Sequence, residues 1–594
     1  MGHWTFLTIL KHAGQLKSLI ILPIAFLAPI PVIIAETDLP EQAARCAYVI
    51  IAMAILWLTE AIPIAATALL PVFLLPMLNV MTASATCSAY ITDSSMLFLG
   101  GLILAAAVEE WNLHKRIALL ILKLIGSQPN LLMLGLMLTT WFLSMWISNT
   151  ATASMMIPII FAVVHELEGA HSDPEQQEVQ EGVINQTFEM SAVEEGTANG
   201  NYVNAPDQEE NGRQESAGKK VGISKIAKGF ALCVAYASSI GGIATLTGTP
   251  PNLVLKDSVD KLYKANKEDP PISFANWMGF AVPLSFLVLL LAWILLQLLF
   301  LSCTCCRKVD ASRKKAIREA IHSQYNALGR ISFAEVMVAI LFLLLVVLWL
   351  SREPPESDGW GALFVDKKKI TYVSDSTAAI LIISMMFFLP AKVPNIFCWR
   401  NNSKPIFTPI ITWKTANEKV PWGIIMLLGG GFAIADASRI SKLSDWVGAQ
   451  LHVFKDYDPW IMNLIFCCIV AMATEVTSNT ATANLLMPIM LELHALRTEK
   501  CSKHFQAKTT STHPVYLMTS AAVSSSFAFM LPAATPPNAI VFSAGYLSIK
   551  DMATAGLPMN ILAILSLTLA VNTWGKTMYG FDVIPGFFTN TTSP

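Results

Sequence analysis

The chain has 594 residues, of which 54% are hydrophobic and 14% are charged, with a mean hydropathy of +0.53 and a formal net charge of −2. This composition excludes an ordinary soluble protein and indicates an all-α chain that crosses a membrane many times. The near-neutral charge indicates no partner by itself, and we expect no nucleic-acid partner. The ten cysteines show neither a disulfide framework nor a zinc-binding spacing.

Apolar runs follow one another along almost the whole chain. A full crossing needs about 20 apolar residues, and several runs are too short or too interrupted to be simple spans. No small-residue cleavage site follows the first run, so we expect a retained span rather than a signal peptide. The runs lie near residues 19–35, 47–80, 96–108, 117–146, 152–165, 228–255, 277–301, 333–350, 376–391, 422–436, 458–474, 480–493, 513–545 and 555–574.

Two polar interruptions and the chain end indicate sidedness. The segment 166–224 is rich in Glu, Asp, Gln, Asn and Gly without an apolar stripe, which predicts a disordered cytoplasmic loop. The segment 303–330 is rich in Lys and Arg beside a span, which predicts a second cytoplasmic loop. Asn590 begins an Asn-Thr-Thr triplet that can be glycosylated only outside the cytoplasm. We therefore expect a cytoplasmic N-terminus and an extracellular C-terminus.

One short sequence occurs twice. "SNTATASMMIPI" at 148–159 and "SNTATANLLMPI" at 478–489 share eight of twelve residues. Each copy is followed by a segment that contains Thr-Pro-Pro-Asn, "SSIGGIATLTGTPPNLVL" at 238–255 and "SSFAFMLPAATPPNAIVF" at 525–542. A glycine-rich pair, "LFLGGLILA" and "MLLGGGFAIA", precedes the copies. The repetition predicts two structural halves, each with a Ser-Asn-Thr tip and a proline-broken helix.

The halves divide the chain into five parts. We predict an N-terminal span and linker at 1–44, a first half at 45–256, connecting spans at 257–374, a second half at 375–545, and a last span with the C-terminal tail at 546–594. Broken helices at matching places of two halves are typical of a transporter binding site near the middle of the membrane.

The residue types at the tips and breaks favour a cation. Proline removes an amide donor and frees carbonyl groups, which are tolerated at membrane depth only where they line a cavity or meet an ion. A helix that begins at a tip directs amide donors towards an anion, but no Lys or Arg lies near either tip or break. Hydroxyl, amide and carbonyl oxygens suit a hard cation, so sodium would supply the positive charge. Ser144 and Thr474 each lie four residues before a tip, which adds a hydroxyl one helical turn away.

Several of these features also have purely structural interpretations. A single Ser-Asn-Thr is usually a helix cap, and a single Pro-Pro-Asn is usually a turn. The glycine groups at 100–101 and 429–431 favour close helix packing over ligand contact. Glu60 and Glu475 lie in apolar runs, where an acidic residue either has a function or makes an interhelical hydrogen bond.

The motifs together resemble one family. The tips, the breaks, "WNLHKRIAL" (111–119), "FLSMWISNTAT" (142–152), "SIGGIATLTGT" (239–249) and "PWGIIMLLGGGFA" (421–433) are similar to the divalent anion/sodium symporter family. Its animal members are sodium/dicarboxylate, sodium/citrate and sodium/sulfate cotransporters. The resemblance covers the chain except the acidic loop, the tail and the 392–418 connection. It implies an inverted-repeat fold with about eleven transmembrane helices, two re-entrant hairpins, two broken helices, and a homodimer whose transport domain moves against a scaffold domain like an elevator.

The resemblance also implies the site residues. The first sodium site would use Ser144, Ser148, Asn149 and the carbonyls around Thr249 and Pro250, and the second Thr474, Ser478, Asn479 and the carbonyls around Ala534 and Thr535. The substrate would be held by Asn149, Thr150, Thr249, Asn479, Thr480 and Thr535, with Gly430 close to it. Sodium is the coupling ion, and no organic cofactor is expected. The family expectation for localisation is the plasma membrane.

Details of the motifs bear on the transported anion. Sulfate-type members tend to read SNP at the second tip and GTST in the first break, whereas this chain reads SNTA and GTPP as carboxylate carriers do. Asp436 is a departure, because vertebrate carboxylate members usually have lysine there and a sulfate-type member can have aspartate. We expect a dicarboxylate such as succinate, with citrate as an additional substrate and sulfate as the alternative.

Other classes fit the residues less well. A sodium/proton exchanger also uses inverted repeats and broken helices, but it would place aspartate at the break, where this chain has Thr, Pro and Asn. A channel would need rings of like side chains from several subunits. An enzyme would need a nucleophile beside a base, and neither tip contains His or Cys, so we do not expect an enzyme.

Overall fold

The computed structural model describes residues 17–34, 39–125, 128–168, 225–301, 311–354, 357–366, 371–392, 407–443, 446–447, 458–499 and 513–581. Within these ranges the regular elements are helices, and β structure is limited to two isolated bridges. The predicted all-α fold class is therefore confirmed. Asn590 and the predicted acidic loop beyond Glu168 lie outside the described residues.

The N-terminal part of the chain carries the first tip and the first break. Its helices are α1 (Lys17–Leu27), α2 (Ile30–Ile34), α3 (Glu41–Thr59), α4 (Ile64–Thr67), α5 (Leu70–Met77), α6 (Ala83–Ser88), α7 (Asp93–Glu110), α8 (Leu113–Ile125), α9 (Pro129–Ser144), α10 (Asn149–Glu168), α11 (Lys225–Ile243) and α12 (Pro250–Ala265).

The C-terminal part carries the second tip and the second break. Its helices are α13 (Phe274–Leu296, continued by a π-helical turn, Gln297–Leu301), α14 (Ala311–Ala327), α15 (Phe333–Arg352), α16 (Asp375–Phe388), α17 (Trp413–Lys419), α18 (Trp422–Ile440), α19 (Pro459–Thr474), α20 (Asn479–Glu499), α21 (Pro514–Ser524), α22 (Pro536–Ser543), α23 (Ile549–Asn572) and α24 (Trp574–Tyr579). A 3-10 helix, Trp360–Phe364, lies between α15 and α16.

Seven helices of the described ranges are long and apolar enough to cross a bilayer. They are Glu41–Thr59, Ala83–Glu110 (α6 and α7 together), Lys225–Ile243, Phe274–Leu301, Phe333–Arg352, Trp422–Ile440 and Ile549–Asn572. Shorter apolar stretches flank the tips, namely Pro129–Ser144 in α9, Asn149–Phe161 in α10 and Pro459–Thr474 in α19. The chain is therefore a multi-pass membrane protein.

Both proline motifs follow a break in a helix and start a new helix at their first proline. In the first, α11 ends at Ile243 and α12 begins at Pro250; in the second, α21 ends at Ser524 and α22 begins at Pro536. Proline starts each new helix because its missing amide hydrogen would have no partner in the first turn. The preceding threonines, Thr249 and Thr535, are extended, with φ of −150° and −145°.

The parts around the two tips interlock. Helix α10, which begins at the first tip, packs against α11 of its own half and against α22, which follows the second break. Helix α20, which begins at the second tip, packs in the same way against α21 and against α12. Each tip helix therefore contacts the post-break helix of the other half.

The two intramembrane acids predicted from the sequence have different surroundings. Glu60 is exposed and ends α3 in the left-handed conformation, with φ 48°. It is not a buried acid, because the apolar run turns at this residue instead of continuing through the bilayer. Glu475 is buried, and its contacts belong to the second break described below.

A buried ion pair fixes the amphipathic helix α8 to α15. Arg116 Nε donates to Glu335 Oε2 at 2.6 Å and Nη2 donates to Oε1 at 3.3 Å. Arg116 also donates to the carbonyl oxygens of Gly329, at 3.0 Å, and Leu328, at 3.2 Å. Only 8% and 10% of the two charged side chains are exposed. Each charge therefore depends on the other for compensation.

We expect Arg116→Ala or Glu335→Ala to destabilise the protein by about 3–5 kcal/mol, because each leaves a buried charge without its partner. Replacing both residues together, as R116M/E335L, should cost much less. The measurement is the midpoint of thermal unfolding of the purified protein in detergent. Single variants that unfold at the wild-type temperature would contradict the role given to this pair.

Candidate functional site

Three oxygen atoms meet behind the first tip. The hydroxyl oxygen of Ser144 lies 2.7 Å from Asn149 Oδ1 and 2.7 Å from the carbonyl oxygen of Ser238. A hydroxyl has one hydrogen, so Ser144 can donate to only one of these acceptors at a time. Ser144 is fully buried. The cluster is thus oxygen-rich and short of hydrogen-bond donors.

The second tip has the same arrangement. Thr474 Oγ1 lies 2.8 Å from Asn479 Oδ1 and 2.7 Å from the carbonyl oxygen of Ser525. Thr474 is also fully buried. In both halves the hydroxyl and the amide are five positions apart, and the carbonyl lies in α11 in the first half and directly after α21 in the second. The oxygen cluster therefore occurs twice in the structure, as the motif occurs twice in the sequence.

The serine of each tip caps the following helix. Ser148 Oγ accepts a hydrogen bond from Ala151 N at 3.2 Å, and Ser478 Oγ accepts one from Ala481 N at 3.2 Å. Capping is the ordinary role of serine before a helix. Because the serine side chain caps the helix, the asparagine that follows it is left to face the cluster.

The asparagine of each Thr-Pro-Pro-Asn motif ties the broken helix together. Asn252 Nδ2 lies 3.2 Å from Gly242 O, 3.4 Å from Ile243 O and 2.7 Å from Thr245 O. These carbonyls are among those that the break leaves without helical amide partners, and buried carbonyl groups require a donor.

The second break repeats the arrangement. Asn538 Nδ2 lies 3.0 Å from Ala528 O and 2.9 Å from Leu531 O. The bonded carbonyls lie ten and seven residues before the asparagine, as Gly242 and Thr245 do before Asn252. Sequence reasoning missed this role, although asparagine ends both copies of the motif.

Several buried oxygens near the breaks have no hydrogen-bond partner among the described residues. Four of them form two matched pairs, because Ser239 and Ser526 follow the cluster carbonyls directly and Asn252 and Asn538 end the two motifs, and Thr535 supplies a fifth. The atoms are Ser239 Oγ, Ser526 Oγ, Asn252 Oδ1, Asn538 Oδ1 and Thr535 Oγ1. Buried oxygens without a donor require a further partner such as an ion. An all-oxygen set of hydroxyls, amides and carbonyls fits sodium.

Glu475 anchors the second break. Its carboxylate accepts hydrogen bonds from the backbone amides of Phe529 at 2.9 Å, Met530 at 3.0 Å and Leu531 at 3.0 Å, and from Asn560 Nδ2 at 2.8 Å. The amides belong to the unwound segment before α22, and Asn560 belongs to α23. Of the two interpretations of this acid, the structure favours the interhelical hydrogen bond.

The first break is anchored differently. Met145 occupies the position that Glu475 has in the second half, and it offers its backbone carbonyl oxygen, which accepts a hydrogen bond from Thr245 Oγ1 at 2.5 Å. The two halves therefore share the oxygen cluster but not the anchor. A carboxylate with four donors holds the second break, whereas the first break uses the Thr245 hydroxyl and the indole nitrogen of Trp277 of α13, which donates to Ile243 O at 3.1 Å.

The other predicted site residues lie at the starts of the tip helices and of the helices after the breaks. Thr249 and Thr535 are buried at the starts of α12 and α22, with Pro250 following and Ala534 preceding. Thr480 is buried and Thr150 is half-buried, each in the first turn of its tip helix. The carbonyls found within 2.7 Å of the cluster hydroxyls are those of Ser238 and Ser525, which the sequence did not predict.

The glycine triplet packs closely on three neighbours. A Cβ atom on Gly429 would collide with the ring of Tyr90. A Cβ atom on Gly430 would lie 2.5 Å from the carbonyl oxygen of Ala68, and one on Gly431 would collide with the side chain of Asn484. Asn484 belongs to α20, the second tip helix, and donates to Leu427 O at 3.2 Å. The triplet therefore lets α18 approach the second tip helix, in agreement with the packing interpretation of these glycines.

A multi-pass helical protein with paired broken helices and buried oxygen clusters belongs, by fold and site, to the secondary transporters. The family described as the sodium:sulfate symporter transmembrane region matches residues 14–581. The chain belongs to this family, so the predicted family is confirmed and the chain is a carrier rather than an enzyme.

Curated relatives match over almost the full chain. It is 44% identical over 585 residues to solute carrier family 13 member 2 of Rattus norvegicus, covering 96% of this chain and 94% of the relative. It is 41% identical over 587 residues to the Na(+)/citrate cotransporter of Rattus norvegicus, covering 97% of both. It is 39% identical over 596 residues to the Na(+)/dicarboxylate cotransporter 3 of Homo sapiens, covering 97% and 94%. A solved structure of MtrF from Neisseria gonorrhoeae, of a class of antimetabolite efflux pumps, is similar with a TM-score of 0.47 at 10% identity, covering 83% of each chain.

The break-spanning asparagines give a sharp stability test. Asn252→Asp or Asn538→Asp keeps the shape of the side chain but removes the amide donor and directs a carboxylate at carbonyl oxygens. We expect each change to destabilise the protein by about 2–4 kcal/mol, because the freed carbonyls lose their partner and meet a like partial charge. The measurement is the thermal unfolding midpoint in detergent.

Asn266 supplies the matched control for this test. It is an exposed residue at the end of α12 whose side chain bonds Leu262 O at 2.9 Å. Asn266→Asp makes the same chemical change on the same helix, away from the break, and should leave the midpoint nearly unchanged. If Asn252→Asp and Asn266→Asp unfold at the same temperature, the asparagine does not hold the break.

Proposed function

We propose that the chain is a sodium-coupled symporter that imports dicarboxylates such as succinate, with citrate as an additional substrate. The observation that carries this proposal is the duplicated oxygen cluster. Each cluster offers buried hydroxyl, amide and carbonyl oxygens with too few donors, which suits a desolvated sodium ion. Two relatives named as citrate and dicarboxylate cotransporters support the choice of anion.

The first sodium ion would be held by oxygens of the first half, and the second sodium ion by the corresponding oxygens of the second half. We assign Ser144, Ser148, Asn149 and the carbonyls around Thr249 and Pro250 to the first, and Thr474, Ser478, Asn479 and the carbonyls around Ala534 and Thr535 to the second. We add the carbonyls of Ser238 and Ser525, because each lies 2.7 Å from its cluster hydroxyl.

The substrate would bind between the tips. The starts of α10 and α20 direct amide donors and the positive ends of the helix dipoles at an anion. Each bound sodium would add a full positive charge beside these helix ends, which supplies the charge that the tips lack. We assign carboxylate contacts to Asn149, Thr150, Thr249, Asn479, Thr480 and Thr535, with Gly430 close by. The anion should therefore bind tightly only after sodium.

The wider architecture is proposed to follow the family. It would have about eleven crossings, two re-entrant hairpins that carry the tips, and an elevator movement of a transport domain against a scaffold domain in a homodimer. The plasma membrane is the proposed location, with the N-terminus and the 303–330 loop in the cytoplasm and the C-terminus outside.

Sulfate is the alternative anion. The description of the matching family names sulfate, and Asp436 departs from the lysine that is usual in vertebrate carboxylate members. Against it stand SNTA at the second tip and GTPP at the first break. We therefore place dicarboxylate first.

The test is uptake of labelled succinate, citrate and sulfate into cells that express the chain, with sodium or with choline in its place. We expect succinate uptake in sodium that disappears in choline. Asn149→Ala and Asn479→Ala should each abolish it at unchanged surface expression, because each removes a ligand of a sodium ion and a contact to the substrate carboxylate at once.

Sodium-dependent uptake of sulfate without succinate would overturn the assigned anion and keep the cation sites. Uptake that persists in choline would contradict sodium coupling. Uptake that survives both asparagine changes would contradict the assigned sites.

A further inference from the structure

The helix that follows the first break carries a band of charges. On α12, Lys256 Nζ lies 3.0 Å from Asp260 Oδ2, and Lys261 Nζ lies 2.9 Å from Asp257 Oδ2. Lys256, Asp257 and Asp260 are at most 7% exposed. Buried charges of this kind are retained only where their partners are close. Lys261 also forms an ion pair with a residue of another helix.

Lys261 reaches α18 directly after the glycine triplet. Its Nζ lies 2.8 Å from Asp436 Oδ2 and 5.3 Å from the centre of the Phe432 ring. Phe432 and Asp436 are four residues apart, so they share one face of α18. The ammonium group thus binds α18 through a charge and an aromatic ring at once.

The charge of Asp436 is fully compensated. Besides Lys261, Arg439 Nη2 lies 3.5 Å from Asp436 Oδ1. Asp257, Lys261, Asp436 and Arg439 form a chain of two acids and two bases whose formal charges sum to zero. A compensated carboxylate repels a passing dianion little, since the field of each charge is cancelled by its neighbour.

This contact stands close to the candidate site. Gly431 immediately precedes Phe432 and packs on Asn484 of α20, the second tip helix. Helix α12 itself begins at the first break and packs on α20. A bond between α12 and α18 therefore closes a triangle of α12, α18 and α20 and fixes the first break relative to the second tip.

We propose that Lys261 and Asp436 form a positioning pair that holds α12 against α18, and that the carboxylate of Asp436 does not select the transported anion. This inference rests on the proposed function for its transport readout. The pair gives Asp436 a structural role, so the aspartate at this position no longer favours sulfate over a dicarboxylate as the substrate.

The test begins with single and paired charge changes. The variants are Asp436→Asn, Asp436→Glu, Asp436→Lys, Lys261→Asp and the exchanged pair K261D/D436K. The exchanged pair keeps two acids and one base among positions 257, 261 and 436. Lys267→Asp is the control, because it makes the same charge change at an exposed residue two positions after the end of α12.

We expect Asp436→Lys to lower the maximal rate of sodium-dependent uptake by about tenfold at equal surface amount, and Asp436→Asn to lower it less. Asp436→Glu and the exchanged pair should keep at least half of the wild-type rate, and Lys267→Asp should match wild type. The ratio of the half-saturating concentrations of succinate and sulfate, each measured as substrate or as competing inhibitor, should stay the same in every variant.

Two results would overturn the proposal. The first is a change of more than about threefold in that ratio in Asp436→Lys, which would make Asp436 a selectivity residue. The second is an exchanged pair that is no better than the single variants, which would show that the two residues do not act as a pair.

The pair is also measured without transport, so that it does not depend on the proposed function. The thermal unfolding midpoints of wild type, Lys261→Asp, Asp436→Lys and the exchanged pair form a double-mutant cycle. The proposal requires the exchanged pair to unfold above both single variants. Additive shifts would reject the pair even in a protein that transported none of the three anions, whereas absent wild-type transport alone would reject only the proposed function.

Discussion

A helix that unwinds inside a membrane must find new partners for its backbone groups, and the centre of this protein is built around that requirement. No water is available in the bilayer core to satisfy a freed carbonyl or amide. The chain solves the problem twice with the same residues. Asn252 and Asn538 supply donors to the carbonyls on one side of each break. The oxygens that we assign to sodium belong to the two clusters at Ser144 and Thr474, where one hydroxyl hydrogen faces two acceptors.

The two breaks differ in the other groups that hydrogen-bond to their backbone. Glu475 binds three successive amides of the second break and Asn560 of α23. At the first break Thr245 bonds the carbonyl of Met145. A buried carboxylate with several donors is costly to disturb, so the second break should be the stiffer one. The helix that follows the first break, α12, is in addition fixed to α18 by an ion pair.

Repetition decided how much of the site could be predicted. The tips, the breaks and the hydroxyls at Ser144 and Thr474 could be found in the sequence, because each occurs twice at one spacing. The carbonyls of Ser238 and Ser525 could not, because a backbone oxygen carries no residue-type signal. From the sequence, Asp436 was interpreted as a residue that bears on anion selectivity, whereas in the structure it forms an ion pair with Lys261. Its partner lies 175 positions away, and no local pattern joins them. The multi-pass helical fold was predictable from apolar runs alone, whereas the interlocking of α10 with α22 and of α20 with α12 was not.

The most direct test of the central claim is the sodium dependence of uptake in Ser144→Ala and Thr474→Val, measured with the anion that the wild-type chain transports. Both changes keep the approximate side-chain volume and remove one cluster oxygen. Loss of a ligand worth about 1 kcal/mol should raise the sodium concentration for half-maximal uptake about fivefold, at equal surface expression. Sodium activation that is the same as in wild type in both variants would mean that the clusters do not bind the coupling ion.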